Sequence, residues 1–246
     1  RSRCACRREL AQAHSQRILL MTHGPGDGPT PHVFVPAVEH PTLNDDDRHH
    51  LERSLRLREG DEVTVSDGRG AWRSCRFGPI LEPCGPVERT AEPTPELRVA
   101  FALTKGSKPE LVVQKLTELG IDIIVPFVAE RSIVRWDASK AAKQHDRFTR
   151  IAREAAMQSR RTWLPEVRPL VTFDSFASPA VRADRGGEPI GPGHTEVLIG
   201  PEGGWSPSEC DQLVGVRLGP HVLRAETAAI AAATLMGAWR ERQSNA

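Results

Sequence analysis

The stretch Leu198-Ile-Gly-Pro-Glu-Gly-Gly-Trp-Ser-Pro-Ser-Glu209 constrains the fold of this chain more than any other, and Leu218-Gly-Pro-His-Val-Leu-Arg-Ala-Glu-Thr-Ala228 repeats its plan. Residues 195–199 make a short apolar run of the kind that forms a buried strand. Gly200, Gly203 and Gly204 then let the backbone turn sharply and approach a ligand closely. Ser206-Pro207-Ser208-Glu209 is a capping box with proline at the first helical position, so a helix starts there. Val216 to Leu218 predicts a second strand, Gly219-Pro220 a second turn, and an Ala-rich helix opens near Ala225. The expectation is two loops at the carboxyl ends of neighbouring parallel strands, the place where α/β folds make a ligand crevice. One Gly-rich turn is usually structural. A pair carrying Glu202, Arg224, Glu226 and Thr227 points to a site.

At 246 residues the chain suits one large or two modest domains. Its formal charge of +1 says nothing by itself about a polyanionic partner, but the charge is unevenly placed. Residues 1–20 carry a net +4, residues 21–94 a net −5, residues 95–170 a net +5 and residues 171–246 a net −3. The positive field is central, and nucleic acid would be drawn there. No apolar run has the 18 residues of a membrane span. The five cysteines, Cys4, Cys6, Cys75, Cys84 and Cys210, have no paired CxxC spacing, so no metal is expected; His49-His50 read as a solvated helix face. Residues 1–30 are expected to be a disordered leader, with Met21 as a natural start; the alternative for residues 1–20 is a basic arm that touches RNA.

Along the chain, residues 31–92 read as a small β-rich domain. Val33-Phe34-Val35 predicts a strand. Asn44 caps a helix reaching about Leu57, with Leu51 and Leu55 on one face. Residues 62–65 alternate as a strand, Asp67-Gly68-Arg69-Gly70 is a hairpin signal, and strands follow near 71–77 and 80–89. Glu92-Pro-Thr-Pro95 reads as a linker. From residue 96 onward strands and helices alternate, which implies an α/β domain with a parallel sheet. Its expected strands are 97–103, 121–128 and 167–171; its helices are 108–119 and 139–159. Residues 178–193 read as a patternless loop. In the second helix Lys143, Arg147, Arg150 and Arg153 form a basic stripe without a regular acidic partner, extended by Arg160-Arg161. The last helix, 225–239, is apolar almost all round from Ala228 to Ala238, so it must be buried in the core or against a second subunit.

The C-terminal motifs resemble those of the SPOUT methyltransferases, and within them the RsmE type, which methylates N3 of a uridine in small-subunit ribosomal RNA. The resemblance runs from about Val33 to Trp239. It rests on Gly200-Pro-Glu-Gly-Gly204, Leu218-Gly219 and Leu223-Arg-Ala-Glu-Thr-Ala228. Upstream it includes Lys105-Gly106, Gln114-Lys115-Leu116-Thr117-Glu118-Leu119-Gly120, Pro126, Glu130-Arg131-Ser132, Gln158-Ser159-Arg160 and Pro165. It implies a PUA-like barrel at residues 31–92 and a SPOUT domain with a trefoil knot at 96–246. It also implies a homodimer, S-adenosyl-L-methionine as cofactor, 16S rRNA or the small ribosomal subunit as partner, and the cytoplasm as location. The acidic balance of residues 21–94 departs from what an RNA-binding barrel would carry.

The cofactor's adenine suits backbone groups at strand ends. The expected cofactor residues are therefore Leu198, Ile199, Gly200, Pro201, Glu202 and Gly203 on the first loop, and Leu218, Gly219, Leu223, Arg224 and Thr227 on the second. Phosphate is the competing ligand for a helix N-terminus, but no lysine follows either glycine loop as a P-loop requires. Uracil N3 must lose its proton to attack. Arg224 can stabilise charge on O2 or O4, and Glu226 or Glu202 can accept the proton; Glu226 is also simply an acid suited to a helix N-terminus. Arg131 and Arg160 join the catalytic candidates through the motifs they sit in. Lys105, Arg147, Arg150, Arg153 and Arg161 are the RNA-binding candidates. A methyl acceptor other than N3, such as a ribose 2′-OH, and a non-catalytic RNA-binding protein are the alternatives.

Overall fold

In the computed structural model of the chain, Pro25, residues 30–106 and residues 108–244 are described. The expected leader, but for Pro25 and Thr30, lies outside them. The described chain forms two units: residues up to Glu92 together with Met157–Trp163, and Pro93–Ala156 together with Leu164 onward.

The first unit is a mixed five-stranded sheet. Strand β1 (His32–Phe34) runs parallel to β2 (Glu62–Ser66), which pairs antiparallel with β3 (Ala71–Arg76); β4 (Glu82–Pro83) and β5 (Glu88–Arg89) both pair with β3. The hairpin signal is borne out: Asp67 Oδ1 accepts from Arg69 N at 2.7 Å and Ala71 N at 3.1 Å, and Gly68 and Gly70 have φ of 73° and 90°. The strand expected over 80–89 is two short pieces instead. Pro83 and Pro86 remove backbone donors, which limits each piece to an edge. The first helix also departs from expectation. Asn44 caps it as read, accepting from Asp47 N at 2.7 Å, but α1 (Asp45–His49) passes into a π turn over His50–Ser54. Leu55 N bonds to His50 O, so one extra residue per turn puts Leu51 and Leu55 out of register. Leu51 is buried and Leu55 is 47% exposed. His32 is buried as a neutral ring. Its nitrogens meet Thr64 Oγ1 at 2.9 Å and the Arg161 carbonyl at 3.2 Å, and burial lowers its pKa to about 4.

The second unit is built on a parallel sheet ordered β12-β10-β11-β6-β7-β8, with β9 also on β7. The strands are β6 (Arg98–Ala102), β7 (Ile123–Val128), β8 (Glu166–Val167), β9 (Val171–Thr172), β10 (Val181–Pro189), β11 (Glu196–Ile199) and β12 (Gly215–Arg217). The expected strand 167–171 is thus two fragments, broken around Pro169. The helices are α2 (Lys108–Glu118), α3 (Ala138–Gln158), α4 (Pro207–Gln212) and α5 (Ala225–Ser244). Strand alternation sorts the core into two layers. Val99, Phe101, Ile124, Val197 and Ile199 face α2, α3 and α5, while Ala100, Ala102, Val125, Phe127 and Leu198 face Phe173, Phe176 and Leu213. Burial of each large side chain in such a layer stabilises by about 1.5–3 kcal/mol.

The last helix puts one face in the core, while Thr234 and Ala238 on it are exposed. Ala228, Ala229, Ala232, Ala233 and Met236 are buried in this chain's own core. Arg240, near its end, pairs with Asp122 and donates to Gly120 O at 2.6 Å, where Gly120, at φ 82°, closes α2.

The main correction concerns residues 178–193. They are not a patternless loop, because β10 lies between β11 and β12, and the two glycine-bearing strands are therefore not neighbours. Its partner Val216 is opposed by both Ala183 and Glu188, so the residues between them bulge from the sheet. The buried Arg182 side chain donates from Nε to Leu213 O at 3.0 Å and pairs with Asp184, whose Oδ1 accepts from Gly186 N at 2.9 Å. A charged side chain survives inside a sheet only when paired and hydrogen-bonded in this way.

Candidate active site

Strand order diverges between β11 and β6: β7 and β8 lie to one side, β10 and β12 to the other. Parallel sheets place ligands beyond the carboxyl ends of strands at such a point. A cleft of about 660 Å³ occurs there. Its walls come from four segments: Lys108 at the start of α2; the β10 bulge with Ala183, Asp184 and Arg185; the loop after β11 from Ile199 to Trp205; and the loop before α5 from Val222 to Ala225. A smaller recess of about 130 Å³ continues it along Leu218, Gly219 and His221. This size is ordinary for a cofactor-sized ligand.

Each wall has a local cause. The capping box forms as the sequence predicts: Glu209 N donates to Ser206 Oγ at 3.3 Å and Ser206 N to Glu209 Oε2 at 2.9 Å. The other Glu209 oxygen accepts from Glu130 N at 2.8 Å, so this buried carboxylate ties the loop after β7 to α4. Trp205 stacks on Phe127 at 6.2 Å between centroids and 8° between planes, and its Nε1 donates to Ala183 O at 2.8 Å. That bond fastens the β11 loop to the β10 bulge. Gly200 is required by this ring, since a Cβ there would lie 2.7 Å from Trp205 Cε2. Gly203 abuts the Arg131 backbone, 3.1 Å from its carbonyl to such a Cβ, and Gly204 has φ 72°.

Polar groups converge at one end of the cleft. Lys108 Nζ donates to Glu202 Oε1 at 2.5 Å and lies 3.8 Å from Glu226 Oε2. The hydrogen bond holds the Glu202 carboxyl below its usual range and raises the lysine's pKa. A carboxylate so stabilised is a poor proton acceptor. Glu226 differs: its Oε2 is buried and has no hydrogen-bond donor. A buried acceptor left unfilled is costly; Glu226, expected as a proton acceptor, stands behind the cleft wall and is not one of its lining residues. Asp184, across the cleft, is held ionised by its bonds from Gly186 N and Arg182.

The sequence-predicted residues divide into groups. Ile199, Gly200, Pro201, Glu202, Leu223 and Arg224 line the cleft, and Leu218 and Gly219 line its continuation. Leu198 turns its side chain into the opposite core layer, leaving only backbone to offer. Gly203 and Arg131 line a narrow adjacent recess with Lys105, sharing Pro201 and Glu202 with the main cleft. Thr227 is exposed and absent from the cleft walls. Arg160 and Arg161 belong to the first unit; Arg160, at φ 55°, closes α3. The basic stripe does have acidic partners, contrary to the reading above. Arg147 donates to Glu110 Oε2 at 2.8 Å, and Arg150 lies 3.8 Å from Glu154. Sequence reasoning missed Lys108, taken only as a helix start, and Ala183, Asp184 and Arg185. No local signal marked either group, because their roles depend on the bulge and on which loops meet.

The apolar walls, strand-end backbone and facing charges suit an adenosine-bearing zwitterion such as S-adenosylmethionine. Among the described residues no cluster of His, Cys, Asp and Glu is placed to hold a metal ion, and no helix is long and apolar enough to cross a membrane. Cys75, Cys84 and Cys210 are free thiols.

Comparison with known proteins agrees with this geometry. Residues 90–237 match the RNA methyltransferase domain family, and residues 43–80 match the RNA methyltransferase PUA domain. The chain is 32% identical over 218 residues to the ribosomal RNA small subunit methyltransferase E of Bacillus subtilis, covering 76% of this chain and 85% of that one. It is 34% identical over 214 residues to the protein of the same name in Synechocystis, covering 76% and 69%. Among solved structures, a methyltransferase from Legionella pneumophila in complex with S-adenosylmethionine matches with a TM-score of 0.76 at 27% identity, over 86% of this chain and 98% of that one. A ribosomal RNA small subunit methyltransferase E from Neisseria gonorrhoeae, bound to S-adenosyl methionine, matches at 0.68 and 28%, over 85% and 97%.

Proposed function

The chain belongs to the RNA methyltransferase family that includes the ribosomal RNA small subunit methyltransferase E enzymes, and we propose that it methylates N3 of a uridine in small-subunit (16S) ribosomal RNA, using S-adenosylmethionine. The observation that carries the reading is the strand-end cleft of about 660 Å³, walled by Gly200 and its loop, the β10 bulge, Arg224 and Lys108. Backbone of Ile199, Gly200, Leu218 and Leu223 binds the adenosine part. S-adenosylmethionine, when bound, supplies an activated methyl group on sulfonium. Arg224 stabilises the charge left on the uracil oxygens when N3 loses its proton. Glu202 is assigned to its ion pair rather than to proton transfer.

RNA is held by Lys105 and Arg131 at the adjacent recess, by Lys143, Arg147, Arg150 and Arg153 on α3, and by Arg160 and Arg161. The target base leaves its stack to reach the cleft. Function is assigned to a homodimer in the cytoplasm. The dimer contact excludes Ala232, which packs into its own subunit's core, so Ala232→Glu reports on folding rather than on dimerisation.

The test is mass spectrometry of nucleosides from small-subunit RNA of cells with and without the chain. We expect 3-methyluridine to vanish on deletion and to return with the intact chain. Unchanged 3-methyluridine, or loss of a ribose-methylated nucleoside instead, sinks the assignment.

A further inference from the structure

Asp184 has no role in the proposed function, yet it is placed as a binding group would be. It opens the β10 bulge, between the ladder pairs made by Ala183 and Glu188. It lines the main cleft and also the smaller recess along Leu218 and Gly219, so it stands where the two meet. Its carboxylate is held from behind. Oδ1 accepts from Gly186 N at 2.9 Å, and Oδ2 pairs with Nη1 of Arg182. These bonds keep it below the usual carboxylate range. Arg182 is fixed in turn, because its side chain is buried and its Nε donates to Leu213 O at 3.0 Å. The carboxylate cannot swing away without leaving a buried guanidinium unpaired, which is costly.

The two bonds do not exhaust it. A carboxylate offers about four lone-pair sites, and the side chain is still 33% exposed. A rigid anion with acceptor capacity to spare therefore faces the cleft. S-adenosylmethionine has three kinds of group that can use an anion: the ribose hydroxyls, the ammonium and the sulfonium. Position favours the ribose. Ile199 and Gly200 line the main cleft, Leu218 lines the recess, and Leu223 lines both. An adenosine held by those four must pass the boundary where Asp184 stands. Charge favours the ribose as well. Arg182 pairs with Asp184, and Arg185 lines the same two spaces. Two guanidiniums offset the pull on a cation, whereas a hydroxyl needs only a local acceptor. Dinucleotide-binding folds use a carboxylate on ribose in the same way.

We propose that Asp184 is the ribose-recognition residue of the cleft: it accepts a hydrogen bond from one or both ribose hydroxyls of S-adenosylmethionine, and so selects a ribonucleoside over its deoxy counterpart. The inference rests on the cofactor site of the proposed function. The test first deletes on the ligand, which leaves the protein intact. Calorimetry compares S-adenosylhomocysteine with its 2′-deoxy and 3′-deoxy counterparts on wild type, Asp184→Asn and Asp184→Ala, with a thermal melt of each protein. A hydrogen bond to a charged acceptor changes affinity by about tenfold or more, so wild type should bind at least one deoxy ligand about tenfold more weakly. Asp184→Ala should bind that ligand and its parent within about threefold of each other. Asp184→Asn keeps a neutral acceptor and should fall between; it carries the comparison if Asp184→Ala does not fold. A merely structural Asp184 would weaken all three ligands together and leave their ratio unchanged. A wild type that binds all three alike overturns the inference, as does discrimination that survives undiminished in a folded variant. So does a variant that loses its preference between S-adenosylmethionine and S-adenosylhomocysteine while the deoxy ratio holds, since Asp184 then meets the cofactor's cationic end. Each of these leaves uridine methylation standing. A wild type that discriminates the ribose but forms no 3-methyluridine in small-subunit RNA defeats the proposed function and leaves Asp184 its role.

Discussion

Two walls of the cleft face each other and were written in different ways. The wall after β11 is local. Its glycines, its Ser206–Glu209 capping box and its apolar strand each follow from a few adjacent residues, and the chain folds there as those residues dictate. The wall from β10 is not local. Arg182-Ala-Asp-Arg-Gly-Gly-Glu-Pro189 has neither the alternation of a half-buried strand nor the apolar run of a central one. It is a strand because its neighbours supply partners: Leu213 O and Asp184 for Arg182, and Gly215–Arg217 for the ladder. A ligand wall can therefore be as ordered as its neighbour while carrying no pattern that a period of two or of 3.6 could detect.

The largest effect is expected where the unpatterned wall has no freedom. A Cβ at Gly187 would fall on the Gly215 carbonyl and 2.6 Å from Val216 N. Both are backbone, so β10 and β12 must separate. Gly187→Ala should cost about 3 kcal/mol or more, beyond ordinary overpacking, and should lower the melting temperature sharply along with cofactor affinity. A variant that melts with wild type would mean that the β10–β12 ladder does not hold this wall.

The same contrast explains what could be read in advance. The parallel α/β domain, the capping box, the Asp67–Gly70 hairpin and the burial of α5 all rest on short-range patterns, and all formed. The π turn after His49, the broken strands around Pro83, Pro86 and Pro169, and β10 depend on tertiary partners that override local preference. The site divides in the same way. Gly200, Glu202, Leu223 and Arg224 lie on local motifs and were legible. Lys108, Ala183, Asp184 and Arg185 reach the cleft only because of strand order, and Thr227, legible by motif, points elsewhere. Arg147 looked unpaired along its helix because Glu110 approaches from another, whereas Arg150 has its partner, Glu154, one turn on in the same helix.

An intermediate effect is expected at the tie between the walls. Gly200→Ala places a Cβ 2.7 Å from Trp205 Cε2, and the ring cannot swing away without losing its stack on Phe127 and its bond to Ala183 O. We expect a stability loss of about 1–3 kcal/mol and a cofactor affinity at least tenfold weaker, about 1.4 kcal/mol. Trp205→Phe keeps an aromatic ring on Phe127 but removes the hydrogen bond and part of the indole's volume, so it should cost about 1–3 kcal/mol. If Gly200→Ala melts early but binds S-adenosylmethionine like wild type, the two walls act independently, and the comparison between them loses its functional meaning.

The smallest effect on stability is expected at Gly219, on the continuation of the cleft. Its φ lies outside the left-handed region, and a Cβ there meets nothing within 4 Å. Nothing in the free protein therefore requires glycine, unlike Gly187, pressed by backbone, or Gly200, pressed by a ring. Gly219→Ala should leave the melting temperature nearly unchanged, within the roughly 0.5 kcal/mol typical of unconstrained surface positions. If the adenosine part packs against this backbone, the added methyl group should still weaken S-adenosylmethionine binding, because the space it takes belongs to the ligand. Calorimetry and a thermal melt on the same sample separate the two readouts. Unchanged affinity beside an unchanged melt would place the adenosine away from Leu218-Gly219, and would confine the ligand to the larger part of the cleft between the β11 loop and the β10 bulge.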